Sequence, residues 1–485
     1  MKIKITQPDT ATHWRRTKII ATLGPASCDE HMIRQLVSAG VDVFRFNMSH
    51  GSHDLHRINF QRVRTISRQL DRHVAILMDL CGPKIRVGKF RNGEISLLEG
   101  ESVRVSCRAV IGESGVIPSQ YPALHKDVRP GQRILLDDGK LELHVEAVKD
   151  KDIFCRVIYG GVLSDNKGMN LPDTSVTASS FTAKDKNDAK LAAELDADFV
   201  AMSFVRRDRD VKTVQQFFRK LGKDIPIIAK IEKPEAIHHI DSILKSAYGI
   251  MIARGDLGIE LPAQQVPLIQ RDLISRARLM SRPVIVATQM LESMIHNARP
   301  TRAEVGDVAG AAFASADAVM LSAETASGKY PLKSVQIMDS VLREIESYQW
   351  NCGKFIEPLW MAGETLSSVR KAVSHAATSL ARELKLQGIV VPTRTGTTAV
   401  ILAADRPVAP LLGVCTDEFI CRRLALHWGV LPFRIEKRVT HDWKKLCKDI
   451  SSRCQLKRTG NTVLLVSGFN DDPALNEPVM KIMRL

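Results

Sequence analysis

A chain of 485 residues is longer than one hydrophobic core organises, so two or three domains are expected. Its 44% hydrophobic and 25% charged residues are a globular composition; no apolar run approaches the ~20 residues of a bilayer span, and the opening stretch has no signal-peptide core, which together predict a cytoplasmic protein with no membrane partner. The net charge of +15 does not point to nucleic acid, because the excess is spread along the chain and aromatics are only 5%; a basic surface that steers small anionic substrates is the better reading.

Residues 17–22 (T-K-I-I-A-T) form the first apolar run, closed by L-G-P-A-S and followed by a helical pattern over 30–39. The second, 41–47 (V-D-V-F-R-F-N), leads through M-S-H-G into an amphipathic helix near 55–70, and the third, 74–80 (V-A-I-L-M-D-L), ends in C-G-P-K-I-R. From about 87 to 180 the rhythm changes to short alternating segments at 102–107, 133–136, 141–148 and 153–159, separated by Gly, Pro and Asp. Such spacing predicts a small all-β domain. Strand and helix alternation then resumes, with apolar runs at 199–204, 225–231, 249–253, 283–288 and 318–322 and helical patterns such as 209–221, 264–281 and 302–314. Three runs before the β domain and five after it make eight β/α units, the number a closed (β/α)₈ barrel requires.

Beyond a helical stretch at 331–348 come a looser linker at 350–361 and a helix around 364–384. Runs at 388–393, 411–415, 430–434, 462–467 and 479–483 follow and read as an open α/β sheet of about five strands. The predicted architecture is therefore a TIM barrel built from 1–84 and 182–349, an inserted small β-barrel lid at 85–181, and a C-terminal open α/β domain at 350–485. Nine cysteines without C-x-x-C pairs predict free thiols and no disulfide framework.

In such a barrel the carboxyl ends of the strands form the active face. Here they read Thr22, Arg45 and Asn47, Asp79, Ser203, Lys230 and Glu232, Arg254 and Asp256, Thr288 and Gln289, and Ser322 and Glu324. Glu232 and Asp256 end adjacent strands, ~5 Å apart, so two hard oxygen ligands can share one Mg²⁺, while the Lys230 ammonium meets a phosphoryl group. An ordinary inter-strand salt bridge is the structural alternative. Arg45 and Arg86 suit bidentate phosphate recognition beside Asn47, Ser49 and His50, or else are surface ion pairs. Gly255 lets backbone N–H groups approach an anion, though a tight turn also needs it. The Thr288 and Ser322 hydroxyls can relay a proton or hold a carboxylate; each can equally bond back to its own chain. Thr393, Thr395, Gly396, Thr397 and Thr398 open a helical run after a strand and form either a phosphate cradle or simple N-caps.

The stretch I-I-A-K-I-E-K-P-E-A-I at 227–237, with F-R-F-N-M-S-H-G, G-P-K-I-R, I-A-R-G-D-L-G-I-E, A-T-Q-M-L-E-S-M and A-V-M-L-S-A-E-T, resembles bacterial-type pyruvate kinase from Arg16 to about Gly468. The resemblance implies a glycolytic phosphotransferase acting on phosphoenolpyruvate and ADP to give pyruvate and ATP. It implies that Arg45 and Lys230 hold the transferring phosphoryl group and that Glu232 and Asp256 hold Mg²⁺, which Mn²⁺ could replace. Gly255, Asp256 and Thr288 would take the phosphoenolpyruvate carboxylate; Asn47, His50, Arg86 and Lys184 would serve the nucleotide, which brings a second Mg²⁺. Thr288 and Ser322 would lie on the route that protonates the enolate. The β domain would be a mobile lid, and the assembly a homotetramer. A barrel lyase or aldolase acting on pyruvate enolate would need the same metal site, but neither the lid nor Lys184.

Three departures from the family pattern stand out. Lys84 replaces an acidic residue, and Leu80 a hydroxyl residue, of potassium-requiring members, so activity without K⁺ is expected. The returning hinge V-T-A-S-S-F-T-A-K-D lacks the usual acidic-Leu-Pro pattern while keeping Lys184. The stretch 470–476 differs from the glycine-rich effector loop, yet the threonine cradle remains, so a phosphorylated activator such as a sugar phosphate or nucleoside monophosphate is expected.

Overall fold

In the computed structural model, residues 15–174, 176–351, 369–436, 442–454 and 462–484 are described. Eight parallel strands, Lys18–Leu23, Val43–Asn47, Ala75–Asp79, Phe199–Met202, Ile227–Ile231, Gly249–Ala253, Val284–Ala287 and Ala318–Leu321, close into a barrel in chain order. They read as near-continuous apolar runs because both faces are covered. One set of side chains, including Ile19, Phe44, Ile76 and Ile252, packs under the surrounding helices. The alternate set, including Ile20, Leu77, Phe199 and Met251, fills the barrel interior.

The β domain leaves the barrel after the third strand and returns before the fourth. Its strands form a six-stranded sheet and a two-stranded ribbon of Glu94–Leu97 with Gly161–Ser164. Leu97 and Leu163 of the ribbon share one core with Val105, Leu143 and Val157 of the larger sheet, which is why the domain curls into a single body. The ribbon, Val116–Pro118 and Met169–Asn170 are additions to the strands expected from sequence. The two connections to the barrel are tied together at Asp185. This fully buried carboxylate closes a capping box with Thr182 on the return and accepts the Gly82 N–H at 3.0 Å on the exit.

In the C-terminal region the described residues form a five-stranded sheet in which four parallel strands carry Val479–Arg484 as an antiparallel edge. The predicted linker at 350–361 lies outside the described residues except for positions 350 and 351, which end the helix Pro331–Asn351. The helix expected at 364–384 is described as Val369–Glu383, and 364–368 also lie outside. The expectation of free thiols needs one correction: Cys415, ending a strand, is bonded to Cys421 on the next helix. The intervening turn folds the two back on each other, a proximity that sequence spacing alone does not reveal.

This sheet is fixed to the floor of the barrel. Leu426 packs into the interior cluster, the Lys18 ammonium donates to the Val430 carbonyl at 2.7 Å, and Arg422 and Arg64 share Asp198. At the centre Asp317, 3% exposed, accepts both terminal nitrogens of Arg406 at 3.1 and 2.8 Å and the Val284 and Trp428 N–H groups at 3.1 Å. Removing one partner of a buried pair strands the other charge. Asp317→Ala is therefore expected to lower stability by about 3–5 kcal/mol, read as a shifted urea-unfolding midpoint. A midpoint within error of the parent would contradict this.

Candidate active site

The carboxyl ends of the barrel strands bring together most of the charges expected there. Arg45, on the second strand, donates through Nε to Asp79 Oδ2 at 2.7 Å and through Nη1 to the Thr22 hydroxyl at 3.1 Å. Asp79 ends the third strand opposite Asn47 and is 1% exposed. Its second oxygen makes no hydrogen bond and lies 3.4 Å from the Lys230 ammonium. Lys230 also sits 2.8 Å from Glu232 Oε1 and donates to the Ser203 hydroxyl at 2.7 Å. Burial would lower the lysine pKa, but Asp79 and then Glu232 more than reverse this and hold the ammonium charged, above its ordinary value.

Glu232 is buried just beyond the fifth strand, and its Oε2 accepts the Phe204 N–H at 2.9 Å. Asp256 lies in the first turn of the helix Arg254–Glu260 that follows the sixth strand. Its carboxyl is pushed up to about 6, first by burial and then by Glu232, against the pull of Lys230 and Lys84. Asp79, Glu232 and Asp256 outnumber the Lys230 and Arg45 cations among them, an excess of negative charge that a divalent ion would balance. Among the described residues no group of three or more His, Cys, Asp or Glu is placed to hold a metal. Two protein carboxylates nonetheless fit Mg²⁺, which keeps water and substrate oxygens in its other positions.

Between the sixth and seventh strands the Gly255 N–H donates to the Thr288 hydroxyl at 2.7 Å, and that hydroxyl donates to the Ala287 carbonyl at 2.6 Å. Thr288 is thus bonded back to its own chain while it supports Gly255, where a Cβ would come within 3.3 Å of the same oxygen. Thr288 and Gln289 both have left-handed backbones, φ 68° and 54°. Arg254 holds that costly turn by donating to both carbonyls, at 3.0 and 2.9 Å. At the eighth strand the Ser322 N–H donates to Glu324, a carboxyl raised by burial.

On the other side of the mouth, Lys184 donates to the Met48 carbonyl at 2.5 Å and to Asp188 at 2.6 Å. This ties it to the loop of Asn47 and His50, whose turn is closed by Asn47 Oδ1 on the Ser49 N–H and by His56 on the His50 carbonyl. Arg86 stands apart, on the lid side, donating to the Asn166 carbonyl at 2.7 Å. Between lid and barrel lies a cleft of roughly 700 Å³, counting space open to solvent, lined by Lys84, Asp138, Asn170, Phe204, Lys233 and Asp256. Asp79 and Ser203 were legible only as polar strand ends; their joint grip on Lys230 depends on the register.

The threonine cradle lies in the C-terminal sheet. Thr393 accepts the Gly396 N–H at 2.9 Å, Gly396 takes φ 94°, and Thr398 is buried. The Thr395 and Thr397 hydroxyls both reach Asp471 Oδ1, so a carboxylate of the chain itself occupies the cradle. Arg370 holds that loop through the Asn470 and Asp471 carbonyls.

Residues 14–335 match the family description "Pyruvate kinase, barrel domain", and residues 371–483 match "Pyruvate kinase, alpha/beta domain". The pyruvate kinase of Mycobacterium tuberculosis (strain ATCC 25618 / H37Rv) is 42% identical over 456 residues, covering 94% of this chain and 95% of its own. That of Clostridium perfringens is 35% identical, covering 97% and 100%. A crystal structure of a pyruvate kinase from Cryptosporidium parvum superposes with a TM-score of 0.88 at 31% identity, over 98% of this chain and 97% of that one. The chain belongs to the pyruvate kinase family, enzymes that transfer the phosphoryl group of phosphoenolpyruvate to ADP to form pyruvate and ATP.

Proposed function

We propose that Lys230 and Arg45 hold the phosphoryl group in flight at the barrel mouth, and that Glu232 and Asp256 would hold the Mg²⁺ used by this family. The observation that carries this reading is the Lys230 ammonium, kept charged among Asp79, Glu232 and Ser203, three strands from the Arg45 guanidinium that shares Asp79. Positive charge fixed in a nearly dry site stabilises charge that develops during transfer without reorganising. When bound, Mg²⁺ would supply further charge neutralisation and orient substrate oxygens. Gly255 and Thr288 support the carboxylate end of phosphoenolpyruvate, and Thr288 and Ser322 serve enolate protonation. Asn47, His50, Arg86 and Lys184 form the nucleotide side beneath the lid. Pyruvate formation from phosphoenolpyruvate that depends on ADP tests the reading, because a lyase or aldolase would need no nucleotide.

The enzyme works without K⁺ in this proposal, as a cytoplasmic homotetramer with 1–84, 85–181, 182–349 and 350–485 as its structural units. Its phosphorylated activator binds at Thr393, Thr395, Gly396, Thr397 and Thr398 by displacing Asp471. Asp471→Ala should then tighten binding of inorganic phosphate or glucose 6-phosphate about tenfold, by removing a competing carboxylate. Isothermal titration that finds no gain in affinity would remove this proposal.

A further inference from the structure

We propose that Glu260 is a positioning residue that latches the lid to the two barrel segments carrying Glu232 and Asp256. It ends the helix Arg254–Glu260, four residues after Asp256, and is 5% exposed. Its Oε1 accepts from two sides. Lys233, one residue after Glu232, forms an ion pair with it, and the Asn170 amide of the lid strand Met169–Asn170 donates to it at 3.3 Å. The Lys233 ammonium also lies 5.9 Å from the ring of Phe204, the residue whose N–H holds Glu232. One carboxylate therefore joins the lid, the loop after the fifth strand and the helix after the sixth.

Stability alone does not account for this choice. Glu260 Oε2 is buried without a hydrogen-bond partner, an arrangement that costs folding free energy and that an apolar side chain would avoid. What Glu260 offers that an apolar side chain does not is a simultaneous acceptor for a barrel ammonium and a lid amide. The Lys233 bond lies wholly within the barrel and survives lid opening, whereas the Asn170 bond exists only when the lid is down. The second bond thus biases the lid toward closure, and the first keeps its seat registered with Asp256. Closure over the mouth excludes water from the transfer step.

The inference rests on the barrel-mouth reading of the site, but its test reads the lid separately. Asn170→Ala removes the lid arm alone, and Glu260→Met keeps the approximate length of the side chain while removing the acceptor. For Asn170→Ala, hydrogen–deuterium exchange in segment 161–174 should quicken about tenfold and kcat should fall about tenfold, with KM for phosphoenolpyruvate within about twofold. In a Glu260→Met background, Asn170→Ala should add less than about twofold to either effect, because the acceptor for the Asn170 amide is already gone. Unchanged lid exchange, unchanged kcat, or fully multiplicative effects of the two substitutions would each overturn the latch. Failure of the site reading would show instead as turnover that survives loss of Lys230 while lid exchange still responds to Asn170→Ala.

Discussion

Lys230→Met is expected to lower ADP-dependent turnover of phosphoenolpyruvate by at least about 10³-fold, the scale of removing one fixed cation from phosphoryl transfer. Methionine keeps most of the length of lysine and none of its charge, so the effect isolates electrostatics from packing. The environment makes the loss large. The Lys230 side chain is 13% exposed and its ammonium sits 3.4 Å from Asp79 and 2.8 Å from Glu232, so water is poorly placed to substitute for it. Binding of enolpyruvate should persist in part, because Arg45, Gly255 and Thr288 remain. Steady-state pyruvate formation, with folding checked by circular dichroism, decides the matter. Turnover close to that of the parent would refute the role given to Lys230.

The barrel was legible because its strands are buried on both faces. Runs such as G-I-M-I-A at 249–253 can form little else, and the described strand has those same limits. The lid was less so: Val116–Pro118 and Met169–Asn170 are too short for alternation to show, and they are strands only because neighbours pair with them. The same division holds at the site. Lys230, Glu232 and Asp256 stood out as charges after apolar runs. The work of Asp79 did not, because only the register with the second strand places it between Arg45 and Lys230. Asp471 is likewise 74 residues from Thr397, and no local pattern links a carboxylate to a hydroxyl at that separation.

If Lys84 supplies the charge of a monovalent cation, as proposed, full activity is expected in buffer free of both Na⁺ and K⁺, with less than about twofold stimulation on adding K⁺. Lys84 is exposed at the cleft, lines it together with Asp256, and is one of the two lysines that offset the upward push on that carboxyl. The oxygens available to hold K⁺ are correspondingly few. Leu80 is buried and apolar, its carbonyl already accepts the Ser203 hydroxyl at 2.8 Å, and one oxygen of Asp79 is taken by Arg45. Lys84→Glu reverses a charge beside Asp256 and should lower turnover in K⁺-free buffer on the order of 10²-fold. Part of that loss should return on adding K⁺, since the new carboxylate can help hold the ion. A parent enzyme stimulated strongly by K⁺, or a Lys84→Glu variant indifferent to the ion and as active as the parent, would remove Lys84 from this role.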